Sequence, residues 1–127
     1  MTPSVLIVDD NSHFLVAARR LLEGEGMTVV AVASTSADAL RYADELRPDV
    51  TLADVDLGEE SGFDLARQLT EVAGGEERRV ILISAYPAQD LGDLLESSPA
   101  VGFLPKSQLS ARAILELLEP TGDHTAG

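Results

Sequence analysis

Four short apolar runs, each leading into residues that can do chemistry, constrain this chain more than any other feature. Residues 5–8 lead into Asp9 and Asp10, residues 50–53 into Asp54, and residues 80–83 into Ser84. Residues 101–104 lead into Pro105 and Lys106, the only lysine in the chain. Runs of this length and bulk read as buried strands. Amphipathic stretches lie between them, and such alternation implies a parallel sheet covered on both faces. Parallel strands bring their carboxyl ends to one edge, where ligands bind. Residues spread from 9 to 106 are therefore expected to meet in one acidic pocket.

The stretches between the runs carry helical spacing. Residues 11–25 place Phe14, Ala17, Ala18, Leu21 and Leu22 on one face, and Gly24 and Gly26 mark the end. The β-branched residues 28–33 supply a further strand. Residues 34–46 form the second helix, with Ser34 or Ser36 as N-cap and Ala39, Leu40, Ala43 and Leu46 inward. Residues 56–61 read as a loop. The third helix falls within residues 61–73, with Leu65, Leu69 and Val72 inward, and Gly74 and Gly75 open a turn. Residues 79–84 are the fourth strand. Residues 87–97 are a weaker helix, because Gly92 costs about 1 kcal/mol relative to Ala. The fifth strand covers 101–104 and the last helix 108–118. One domain over residues 1–120 and a flexible tail over 121–127 are expected.

Charge narrows the function classes. The chain of 127 residues carries a net charge of −13 and nine Lys and Arg, which are scattered or paired. Direct nucleic-acid binding needs clustered basic side chains on one face, and the acidity disfavours anionic membranes. The absence of cysteine excludes disulfides and thiol chemistry. No basic segment precedes the first apolar run, which is too short for a signal peptide or a membrane span. A cytoplasmic, soluble protein is the expectation.

Four motifs in order carry a family resemblance: Val8-Asp9-Asp10, Ala53-Asp54-Val55-Asp56 with Gly62 following, Ile83-Ser84-Ala85, and Gly102-Phe103-Leu104-Pro105-Lys106. The chain resembles the response-regulator receiver domain of two-component signalling, with its chemotaxis-regulator-like fold. That resemblance implies a flavodoxin-like, doubly wound α/β fold: a five-stranded parallel sheet of order 2-1-3-4-5 flanked by five helices. It implies Asp54 as phosphoacceptor, served by a histidine kinase or phosphotransfer protein. It assigns Mg²⁺, with Mn²⁺ as a substitute, to Asp9, Asp10, Asp54 and the backbone carbonyl of Asp56. Lys106 and Ser84 would contact the phosphoryl oxygens, and Ser84 and Phe103 would act as the switch. Asp56, Ala85 and Tyr86 would flank the site. Output would pass through the fourth helix, fifth strand and fifth helix to a downstream protein or a second copy. The resemblance implies a signalling module whose own chemistry is limited to self-phosphorylation and self-dephosphorylation.

The chemistry agrees with the resemblance. A carboxylate nucleophile approaching a phosphoryl group meets repulsion that Asp9 and Asp10 increase. Unit charges 4 Å apart repel by about 4 kcal/mol at an effective dielectric of 20, so a divalent cation must occupy the pocket, and Lys106 would offset the charge of a phosphoryl oxygen. Taken singly, Asp9, Asp10 and Asn11 are ordinary candidates to cap the first helix, and Lys106 is an ordinary solvated amine. Three departures stand out: Gly58 and Ser107 where the family commonly has Pro, and Ser84 for the commoner Thr. Competing readings are a phosphorylation-independent interaction module, a small aspartate-dependent phosphohydrolase and a flavin carrier of similar topology.

Overall fold

Strand β1 (Ser4–Val8) has no face toward solvent. Val5 and Ile7 join the core on one side of the sheet, and Leu6 and Val8 join the core on the other. Side chains alternate along a strand, so a run that is apolar at every position demands cover on both faces. The computed structural model describes residues 3–71 and 78–119. Strands β2 (Thr28–Ala33), β3 (Val50–Asp54), β4 (Arg79–Ser84) and β5 (Gly102–Pro105) complete a parallel sheet of order β2-β1-β3-β4-β5. This is the order expected from the sequence.

Helix α1 (Ser12–Gly24) and helix α5 (Ala111–Leu118) cover one face through Leu15, Ala18, Leu22, Ala111 and Ile114. Helices α2 (Ser36–Leu46) and α3 (Gly62–Glu71) cover the other through Ala39, Ala43, Phe63, Leu65, Ala66 and Leu69. Each fully buried Leu contributes about 1.5–3 kcal/mol. The face of α1 is rotated from the expected one. Leu15 is buried, whereas Ala17 and Leu21 are exposed. The buried set 15, 18 and 22 keeps the three- and four-residue spacing that an amphipathic helix requires. In α2, Leu46 is exposed and Leu40 only half-buried, and the N-cap is Thr35, whose hydroxyl accepts from Asp38 N at 3.1 Å. Val72 and the Gly74–Gly75 turn lie outside the described residues, as does the chain after Glu119.

Two segments differ more. Residues 56–61, expected as a loop, form a small antiparallel ribbon with Asp56 opposite Ser61 and Leu57 opposite Glu60. Gly58 makes its turn at φ +76°. A two-residue hairpin turn favours glycine at this left-handed position, and proline, fixed near −65°, cannot take it. The expected helix over 87–97 splits into a 3₁₀ turn (Ala88–Asp90) and a short α4 (Gly92–Glu96). Gly92, at φ +41°, interrupts the right-handed run. Leu91 and Leu95 pack against the core, but Leu94 is exposed. The last helix likewise begins at Ala111, after a 3₁₀ turn at Lys106–Gln108. No described peptide bond is cis, the Lys106–Ser107 bond included.

Candidate functional site

Strand register assembles the site. Val8 pairs with Ala53, so Asp9 and Asp54 leave adjacent strands side by side. Asp54 pairs with Ile83 and Ser84 with Pro105, which brings Ser84 and Lys106 to the same sheet edge. Carboxylate oxygens of Asp9, Asp10 and Asp54 all lie within 4.8 Å of one another. Asp9 and Asp54 are buried, whereas Asp10 is exposed.

Backbone donors orient these carboxylates. Asp9 Oδ1 accepts from Asn11 N at 2.9 Å, and Asp54 Oδ1 accepts from Asp56 N at 3.0 Å. Asp56 Oδ1 in turn accepts from Gly58 N at 3.1 Å. Asn11 caps α1 by accepting from His13 N at 2.9 Å and Phe14 N at 3.2 Å. The helix therefore starts at the pocket's edge, and its capping residue is Asn11 rather than either aspartate.

Lys106 reaches inward from the end of β5. Its Nζ lies 2.6 Å from Asp9 Oδ2 and 2.8 Å from Asp54 Oδ2. The Asp9 contact is an ion pair, but among the described residues no well-directed hydrogen bond reaches that buried oxygen. Burial pushes the Asp9 carboxyl above the usual aspartate range. The Asp54 charge adds to the rise, while Lys106 and Asn11 N oppose it. For Lys106, burial pulls the ammonium down, yet the pairs with Asp54 and Asp9 outweigh it and raise it overall. Three carboxylates face one ammonium. A buried carboxylate oxygen without a directed donor, among hard oxygen ligands, suits a divalent cation.

The remaining expected residues surround this cluster. Ser84 is buried, and its Oγ accepts from Tyr86 N at 2.9 Å, leaving its O–H free to donate. Ala85, Asp56 and Tyr86 are exposed at the rim. Phe103 is half-buried and packs on the side of the sheet that carries Leu91 and Leu95. Two contributions had not been legible in the sequence. The Phe14 ring, read only as core, lies 4.3 Å from Lys106 Nζ. Gly62 lies so close to the Asp54 backbone that a side chain there would overlap it. No local pattern links a ring at a helix start to a lysine so far along the chain. Gly62 had a signal in its motif position, but not its reason.

Among the described residues, no helix is long and apolar enough to cross a membrane. Residues 5–119 match the family model of the response regulator receiver domain. The regulator PhyR of Methylorubrum extorquens is 36% identical over 72% of the chain, and the response regulator GacA of Pseudomonas aeruginosa 30% identical over 80%. The chain spans 34% and 47% of the length of those curated relatives. The signal receiver domain of a modulated diguanylate cyclase from Desulfovibrio desulfuricans superposes with a TM-score of 0.76 at 28% identity. That match covers 98% of this chain and 96% of that one. The sheet order, the acidic edge and these likenesses agree: this chain belongs to the response regulator receiver domain family, the phosphoacceptor module of two-component systems.

Proposed function

We propose that Asp54 accepts a phosphoryl group from a sensor histidine kinase or a phosphotransfer protein. The observation that carries this reading is the meeting of Asp9, Asp10 and Asp54 within 4.8 Å, with Lys106 paired to Asp54 Oδ2 at 2.8 Å. A carboxylate oxygen of Asp54 bonds to phosphorus while the bond from phosphorus to the donor histidine nitrogen breaks, and the imidazole leaves. Lys106 moves from its carboxylate partners to a phosphoryl oxygen and offsets the arriving charge. The Ser84 hydroxyl, whose proton is free, donates to another. Small phosphodonors would serve in place of the kinase, and water attacking the acyl phosphate would reverse the modification.

Mg²⁺, or Mn²⁺ in its place, fits the donor set. Asp10, Asp54 and the Asp56 carbonyl would hold it directly and Asp9 through water. When bound it supplies the positive charge that three carboxylates and a phosphoryl group lack. Ala85 leaves room beside the acceptor, and Asp56 and Tyr86 at the rim govern access of water.

Phosphorylation adds up to two negative charges and three acceptor oxygens. Ser84 and Phe103 relay that change to the face formed by α4, β5 and α5. The short α4, which opens on Gly92, is a weakly determined element of the kind that shifts between states. The output is contact with a downstream protein or a second copy through this face, without direct contact to nucleic acid or membrane.

The test is intact mass after incubation with acetyl phosphate and Mg²⁺. One added phosphoryl group, absent in Asp54→Ala and in EDTA, is the expected result. No adduct and no beryllofluoride binding would replace this reading with that of a phosphorylation-independent interaction module.

A further inference from the structure

Lys106 Nζ has a third neighbour besides its two carboxylates. It lies over the Phe14 ring, 4.3 Å from the centroid. An ammonium is drawn to the negative face of an aromatic ring, more strongly where water is excluded. The Lys106 side chain is mostly buried. The ring is itself held in place. Phe14 is the third residue of α1, its backbone N–H donates to Asn11 Oδ1, and its side chain packs half-buried against the core of the α1 and α5 face. The same first turn that follows Asp9 and Asp10 thus sets where the ring stands.

The Asp54 carboxylate, as the acceptor, cannot serve as a constant anchor for Lys106. As a phosphoryl group arrives on Asp54, the ammonium must exchange a carboxylate contact for a phosphoryl one. A flexible four-carbon stem released from one oxygen has many rotamers open to it. The ring supplies no oxygen to that exchange, and it stands beside the ammonium at 4.3 Å. We propose that Phe14 is a positioning residue, whose ring keeps the Lys106 ammonium in the pocket while its oxygen partners change. This rests on the reading of Asp54 as the acceptor. Phe14 touches neither donor nor acceptor and acts through Lys106 alone.

Phe14→Leu keeps apolar bulk and removes the ring face, and Phe14→Tyr keeps the ring. Because Lys106 is the only lysine, protein labelled with isotopic lysine gives a single ε-methylene signal, whose relaxation reports the order of this side chain. The expected result is an ordered ε-methylene in wild type and Phe14→Tyr and a mobile one in Phe14→Leu. The rate of phosphorylation by acetyl phosphate with Mg²⁺ falls about five-fold in Phe14→Leu and recovers in Phe14→Tyr. Mg²⁺ affinity stays the same in all three. Equal order in Phe14→Leu and wild type, or equal loss of rate in both variants, would overturn the proposal. A wild type that takes up no phosphoryl group would overturn it as a statement about transfer. A mobile lysine in Phe14→Leu would then trace that failure to the reading of Asp54 rather than to the ring contact.

Discussion

Gly62 stands directly behind the carbonyl of Asp54, and its backbone leaves no space there for a Cβ. Gly62 N also donates to Val55 O at 3.0 Å, so the start of α3 is clamped to the end of β3. Gly62→Ala must therefore push the helix from the strand. We expect destabilisation of about 2–3 kcal/mol and a displaced Asp54. Urea unfolding reads the first, and a lower phosphorylation rate in the still-folded fraction reads the second. Wild-type values for both would mean that the backbone yields without moving the carboxylate.

Removing Lys106 leaves two buried carboxylates facing each other without a counter-charge. Lys106→Met is expected to destabilise the cation-free protein by about 3 kcal/mol, since breaking a buried pair strands a charge. Added Mg²⁺ should then raise the melting temperature more in the variant than in wild type. A smaller rise in the variant would count against a shared role for ammonium and cation.

Asp9 gives a pH dependence of definite sign. Its carboxyl is held above the unfolded value of 3.8, first by burial. Between 3.8 and the raised folded value, the folded state binds more protons than the unfolded one. Stability of the cation-free protein therefore falls as pH rises through that window. Asp9→Asn removes this loss and leaves Asp54 and Lys106 as a neutral pair. The variant should be the more stable at neutral pH without Mg²⁺, and should gain less from Mg²⁺ than wild type does. Denaturant midpoints taken from acid to neutral pH check this. Lys106 works at the other end: its raised ammonium stabilises fully below 10.5 and loses that effect as pH climbs through its folded value.

Helix α5 is capped twice. Ser110 Oγ accepts from Ala113 N at 3.0 Å, and Glu25, at the end of α1, accepts from Ala111 N at 2.6 Å across 86 positions of sequence. Glu25→Ala and Ser110→Ala should each cost about 1 kcal/mol. Amide hydrogen exchange in α5 should rise in both, with the sheet unaffected. Unchanged protection after Glu25→Ala would show that water replaces the carboxylate without loss.

The sheet was legible because apolar runs such as 80–83 have no polar phase, which leaves them little choice but a doubly covered strand. The polar residues at the ends of those runs followed, since strand register alone joins Asp9 to Asp54 and Ser84 to Pro105. Helix faces were read less well. In α1, Ala17 and Leu21 fit the helical spacing as readily as Leu15, and only packing against β1 and β2 chooses between them. The ribbon at 56–61 was missed because two paired residues per strand carry no periodicity. Gly92 marks the weak point of the fourth helix in the sequence, but no local pattern gives its left-handed conformation, φ +41°, which splits the segment in two. The Phe14 contact lay beyond any local pattern, because its partner follows a strand on the far side of the sheet's centre.

Lys106 follows β5, the outermost strand on its side of the sheet. Among the described residues, the pocket's ammonium thus hangs from a border strand of the sheet, while Asp9 and Asp54 stand at the ends of its interior strands. Any fraying of that border strand would withdraw the counter-charge and leave bare acid behind. The electrical balance of the pocket is in this sense a gauge of whether the edge of the sheet is closed.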